Sequence, residues 1–166
     1  MSAPADARTS AGIGLVALSA GAIGWSFCCA GLALAGLWRT ERLDTFHLSP
    51  LLMVFAGGAA LAWLASAAVL LLLRRRVVRL RLRLPLAFVI LGAATLAFTA
   101  LLFALDYRAF YARWHADAFT LDWTLQQLFT TASATYQFLV IGLRLYLPLG
   151  PLLLAAATPV LLRATR

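Results

Sequence analysis

Few residues in this chain are equipped for chemistry, and Arg144 stands apart among them. It is the only charge inside an otherwise apolar run, from about Phe138 to Leu162. A charge at membrane depth is costly and marks a binding or ion-path candidate by default. Its partner would be an anionic headgroup, a substrate phosphate, or Asp106 at the end of the preceding apolar run. A plainer alternative competes. Leu145 to Leu162 are eighteen uncharged residues, enough to cross a hydrocarbon core about 30 Å thick. Arg144 would then snorkel at the boundary.

His47 and His115 form the second group, close in sequence to Asp44 and Asp117. Two imidazoles and two carboxylates can hold zinc. The spacings Asp-x-x-His and His-x-Asp are common in loops, however, so no metal site is assigned. A haem needs axial ligands within a bundle, and neither histidine falls in an apolar run, so no cofactor is assigned either. The chain has no Gly-x-Ser-x-Gly, no P-loop and no His-Glu-x-x-His. No catalytic residue is assigned. Arg144, Asp106, His115 and His47 remain as candidate binding residues.

The third group is a cluster of arginines. Arg74, Arg75, Arg76, Arg79, Arg81 and Arg83 crowd between two apolar runs. Arginines at a membrane surface attract anionic lipid, at about 1 kcal/mol each. The stronger reading is a topology anchor, because positive charge collects in short cytoplasmic loops. Arg79, Arg81 and Arg83 alternate with Leu80, Leu82 and Leu84, as in an interfacial stretch with leucines dipping and arginines snorkelling. The net charge of +8 would fit nucleic acid. Here the charge flanks apolar runs where topology demands it, so nucleic acid is not expected as a partner.

The elements that position these residues follow from composition. Hydrophobic residues make up 63% of the 166, only 12% are charged, and mean hydropathy is +0.90. A soluble domain runs nearer half apolar and a quarter charged, so the expected solvent is lipid. The fold class is all-α: a polytopic integral membrane protein, a bundle of four transmembrane helices with a short extracytoplasmic interfacial helix. Residues 1–10 read as a disordered cytoplasmic tail. Residues 11–163 read as one four-helix domain with spans at about 11–37, 50–73, 85–105 and 138–162. The first run is too long for the apolar core of a signal peptide, about 7–15 residues, and reads as a retained span.

That first run carries Gly14, Ala17, Gly21, Gly24, Cys28, Gly31 and Ala35 at alternating spacings of three and four. Small residues let helices approach closely where lipid supplies no hydrophobic drive. The seam suits packing inside the bundle or association with a partner. Cys28 and Cys29 point to different faces and make no bridge. Ser49-Pro50 reads as a helix start and Pro85 as the opening of the third run. Thr95 and Thr99 are placed to bond back to their own helix.

Residues 106–136 are polar and aromatic, as in an interfacial belt. Thr120 is expected to cap a helix that groups Leu121, Leu125, Leu128 and Phe129 on one face and lies along the membrane surface. In the last run Pro148, Gly150 and Pro151 predict a kink or break. With the 74–83 turn cytoplasmic, nine arginines fall on that side and four on the other, Arg144 aside, which puts both termini inside. The alanine–arginine-rich composition points to a bacterial inner (plasma) membrane.

The leading expectation is a non-catalytic accessory or interaction subunit of a membrane complex. Its partners would be membrane lipids and another membrane protein or a second copy. Two alternatives stand beside it. One is a small transporter or lipid-binding carrier that uses the kinked fourth helix and Arg144. The other is a membrane enzyme acting on lipid at the outer face through His115, His47 and the nearby acids.

Overall fold

A computed structural model of the chain describes residues 3–44, 47–74 and 80–165, with side chains from Gly14 onward and, in the third helix, from Leu82. Every regular element among the described residues is helical. Helix α1 spans Ala3–Arg39, α2 Leu48–Leu73 and α3 Leu80–Tyr111, which ends in a 3-10 turn, Ala112–Trp114. Helix α4, Leu121–Gln137, runs through a π-helical turn, Phe138–Gly142, into the short α5, Leu143–Leu145. Helix α6, Gly150–Ala164, closes the chain.

Three stretches are long and apolar enough to cross a membrane: Gly14–Arg39, Leu48–Leu73 and Leu82–Trp114. A fourth arises if Leu121–Leu145 and Gly150–Ala164, bent by 81° at their junction, count as one broken span. This all-helical arrangement is consistent with an integral membrane protein.

Small residues set how closely the helices pack. A Cβ on Gly58 of α2 would stand 2.8 Å from the Thr99 backbone nitrogen of α3. A Cβ on Gly21 of α1 would fall on the Trp63 indole of α2. Such close approach gains dispersion contacts that lipid tails do not match. Around these crossings Phe55, Trp63, Leu91 and Leu161 are fully buried.

Helix boundaries differ from the sequence expectations at several points. Helix α1 begins at Ala3, where residues 1–10 read as a tail; alanines favour helix, and Pro4 stands in the first turn, where its missing N–H goes unused. Helix α3 begins at Leu80, so Pro85 lies in its second turn instead of opening it. The hydrogen bond it forfeits is close to the helix start, where the chain is still polar. The cap of α2 is His47, whose side chain does not cap the first helical N–H groups, and Ser49 already lies inside the helix; Pro50 keeps its place in the first turn. The break in the last run falls at residues 146–149, as the prolines predict. Helix before it is continuous from Leu121 to Leu145, so the short interfacial helix and the start of the expected fourth span form one rod.

That rod lies against the end of the bundle where α1 stops. Phe138 packs on Phe103 of α3, with ring centroids 6.1 Å apart. Tyr146, just past the rod, stacks on Phe55 of α2 at 5.0 Å. A Cβ on Gly36 of α1 would stand 3.1 Å from the Leu145 Cα. Thr120 caps α4, accepting a bond from the Trp123 N–H at 3.1 Å. The face of Leu121, Leu125, Leu128 and Phe129 is exposed, while Gln126, Gln127 and Thr130 bond inward to α3 and the loop that follows it. A helix with its polar face inward and apolar face outward suits lipid, not water. The hydroxyls agree: Thr124, Thr130, Thr131 and Thr135 each bond to the carbonyl four residues back, satisfying themselves without solvent.

Candidate functional site

The break in the last run creates a cavity. When the chain turns by 81° between Leu145 and Gly150, α6 drops along α1 and α3 and leaves a space of about 410 Å³ beneath the turn. Trp25 and Leu32 of α1 form one wall, and Phe88, Gly92, Thr95 and Leu96 of α3 another. The third wall is the break itself, with Leu143, Tyr146, Leu147 and Gly150, continued by Pro151 and Leu154 of α6. The volume lies in the range of ligand pockets, about 300–1,000 Å³. Two glycines keep it open. A Cβ on Gly92 would meet Leu154 at 2.9 Å, and one on Gly150 would meet the Tyr146 Cβ at 3.2 Å.

Three side chains in this lining carry polar atoms, and each is already paired. The Trp25 indole N–H donates to the Thr95 hydroxyl at 3.1 Å. Thr95 donates to the Leu91 carbonyl at 2.7 Å. The Tyr146 hydroxyl shares a 2.8 Å bond with Thr99. Thr95 therefore bonds back to its own helix as expected, whereas Thr99 reaches across to the break. Walls this apolar, with each polar side chain already hydrogen-bonded, offer little to a sugar, an amino acid or an ion. They offer dispersion contacts and exclusion from water, which is what a hydrocarbon chain requires.

Two arginines adjoin the break. Arg39, the last residue of α1, donates from its guanidinium to the Leu147 carbonyl at 3.0 Å. This bond ties the end of α1 to the break and places a cation where the rod's carbonyls run out, a favourable site. Arg39 is exposed and keeps further N–H donors. Arg144 is exposed in α5 between lining residue Leu143 and buried Leu145. It makes no hydrogen bond or ion pair among the described residues. It stands level with the last turn of α1, to which Leu145 is packed, and not midway along a span.

The four candidate binding residues fall in three places. Arg144 lies at the break. Asp106 and His47 line a separate recess of about 530 Å³, with Tyr107, Phe110, Arg113 and Gln137 among their neighbours. The His47 ring meets Phe110 edge-on at 5.5 Å. The Arg113 guanidinium lies over Phe110 and Trp114 at 5.0 and 4.8 Å, so those ring faces already hold a cation. Asp106 is thus not joined to Arg144.

His115 is elsewhere again. Arg108 donates to the Gln127 carbonyl oxygen at 2.8 Å, which turns the Gln127 NH₂ toward His115 Nδ1 at 2.8 Å. His115 Nε2 then faces the Thr130 hydroxyl at 3.3 Å. With both ring nitrogens engaged, His115 fastens the loop after α3 onto α4. Among the described residues, no three of His, Cys, Asp and Glu converge as a metal site would need.

The small-residue seam divides. Gly21 packs on Trp63, while Ala17, Gly24, Cys28, Gly31 and Ala35 are exposed and Gly14 is half-buried. Cys28 is exposed and Cys29 buried, on different faces as expected. Of the anchor arginines, Arg74 is exposed and Arg83 half-buried; the side chain of Arg81 and all of Arg75, Arg76 and Arg79 lie outside the described residues. Sequence reasoning missed Trp25, Gly92 and Arg39 as site residues. The available signal was the pairing of a lone indole N–H with a mid-span threonine, readable only once α1 and α3 are known to be neighbours.

No protein-family model, curated protein or solved structure matches this chain.

Proposed function

We propose that the chain is a four-span, multi-pass protein of a bacterial inner (plasma) membrane, both termini cytoplasmic, that binds a membrane lipid and catalyses no reaction. The observation that carries this reading is the cavity at the broken fourth helix. Its wall is apolar, its polar side chains are already hydrogen-bonded, and Arg39 holds the carbonyl of lining residue Leu147. That chemistry matches one lipid chain below and a headgroup above. It supports the lipid-binding carrier over a transporter of polar solutes. The arginine count supports the orientation, because positive residues concentrate in short cytoplasmic loops. Helix α6 with its 15 residues rises only about 22 Å, so the fourth crossing needs the turn at 146–149 as well.

A second reading is an accessory subunit docking through α1. The outward stripe of Ala17, Gly24, Cys28, Gly31 and Ala35 favours it, since exposed small residues permit close helix approach.

One experiment separates the two. Native mass spectrometry from mild detergent is expected to find a monomer carrying one lipid mass. Gly92→Leu, which fills the cavity against the flexible end of Leu154, should reduce that occupancy several-fold. A bare wild-type chain contradicts the lipid reading. A dimer or a stoichiometric second protein without lipid moves the accessory reading ahead.

A further inference from the structure

We infer that the lipid selected at this cavity is an anionic phospholipid, with one acyl chain between α1, α3 and α6 and its phosphate at Arg144, beside Arg39. The inference rests on the lipid-binding reading above and adds the headgroup class to it.

Charge at the rim is the first argument. Arg39 is held in place by its bond to the Leu147 carbonyl, 3.0 Å away, and Leu147 also lines the cavity. A fixed guanidinium loses less freedom on meeting a phosphate than a mobile one. Arg144 follows lining residue Leu143 in the chain, is exposed, and has no hydrogen-bonding or ionic partner among the described residues. Acids do occur nearby: Glu41 and Asp44 share a shallow recess with Arg39 and Trp38. They temper Arg39, so the charge next to the lining that no described acid compensates is that of Arg144, one residue from Leu143. A zwitterionic headgroup brings its own ammonium to this rim and gains less than an anionic one.

Depth is the second argument. Leu145 packs on Gly36, three residues before Arg39 ends α1. Both arginines thus stand at one level, at the end of a helix long enough to span. The lining descends from there through Tyr146, Thr95 and Gly92 toward Phe88. Charge at the boundary with an apolar shaft below it is the profile of a phospholipid lying along the protein, headgroup at the interface and chain in the core.

Trp25 reports on the shaft. It is buried with 5% of its surface exposed and lines the cavity, so a chain-brominated lipid that enters brings its bromine against the indole. The test uses a variant in which Trp25 is the sole tryptophan, reconstituted in vesicles. One set contains brominated phosphatidylglycerol in plain phosphatidylcholine; the other reverses the bromine label. At equal mole fraction, phosphatidylglycerol is expected to quench with an apparent affinity about fivefold higher, the factor for one arginine near a charged surface. Arg144→Gln should abolish that preference and Arg144→Lys should keep it. Arg163→Gln, which removes a charge at the far end of α6, should leave it intact and so excludes a general effect of net charge. Equal quenching by the two lipids overturns the headgroup inference and leaves the lipid-binding reading standing. No quenching by either overturns the lipid-binding reading itself. If the single-tryptophan variant does not fold, the wild-type chain is photocrosslinked with diazirine-chain forms of the same lipids. A stronger adduct on the 88–96 peptide with phosphatidylglycerol than with phosphatidylcholine supports the inference, and equal adducts overturn it.

Discussion

At the scale of single residues, glycine does more structural work in this chain than charge does. Gly58 lets α2 rest on the backbone of α3, where an added Cβ would stand 2.7 Å from the Thr99 Cα. Thr99 in turn holds the Tyr146 hydroxyl at 2.8 Å, so this one contact fixes both a helix crossing and the position of the break. Backbone cannot yield as a side chain tip can. Gly58→Leu is therefore expected to destabilise the fold by about 1–3 kcal/mol, the usual cost of overpacking. A thermal melt in detergent checks this: the variant should melt below wild type, and Gly24→Leu, at an open position, should not. The sequence displayed these glycines, but only as a stripe of small residues. Which ones meet a neighbour is decided by the rotation of each helix, and small residues on an alanine-rich helix mark no face.

At the scale of elements, α4 carries the clearest physical signature. Its leucines and Phe129 face outward, and its glutamines face the end of α3. The helix, its threonine cap and its apolar face were all legible in the sequence, because capping and periodicity are local. Its continuation through the π-helical turn to Leu145 was not, because Pro148 advertises a break without saying how far helix persists before it. The Arg108–Gln127–His115–Thr130 chain of bonds was invisible for a related reason: it joins residues on either side of a loop. Gln127→Leu removes its centre and is expected to cost about 2–4 kcal/mol locally, for one neutral hydrogen bond and one to a charged group. The loop at 112–120 should then be cut faster by protease than in wild type. An unchanged rate would mean that the loop is held by its aromatic contacts instead.

At the scale of the whole molecule, composition alone indicated lipid as the solvent, and three long apolar helices with a fourth, bent pair are consistent with it. The cavity was not legible at all. It is made by three helices that the sequence lists far apart, around a bend whose direction depends on packing against Gly36 and Phe55. Arg144 was legible as an oddity, whereas Arg39, which holds the Leu147 carbonyl at the break, was not. Orientation decides which leaflet the cavity faces. The rod, the break and Arg39 share one end of the bundle, and Arg74 and Arg83 stand at the other. If the arginine cluster at 74–83 is cytoplasmic, the proposed lipid site faces the outer leaflet. Single cysteines at Val78 and Ala118, placed in a background without Cys28 and Cys29, test this directly in intact cells. A membrane-impermeant maleimide should label Ala118→Cys at once and Val78→Cys only after permeabilisation. Labelling of Val78→Cys in intact cells, or of both positions from the same side, would contradict the account.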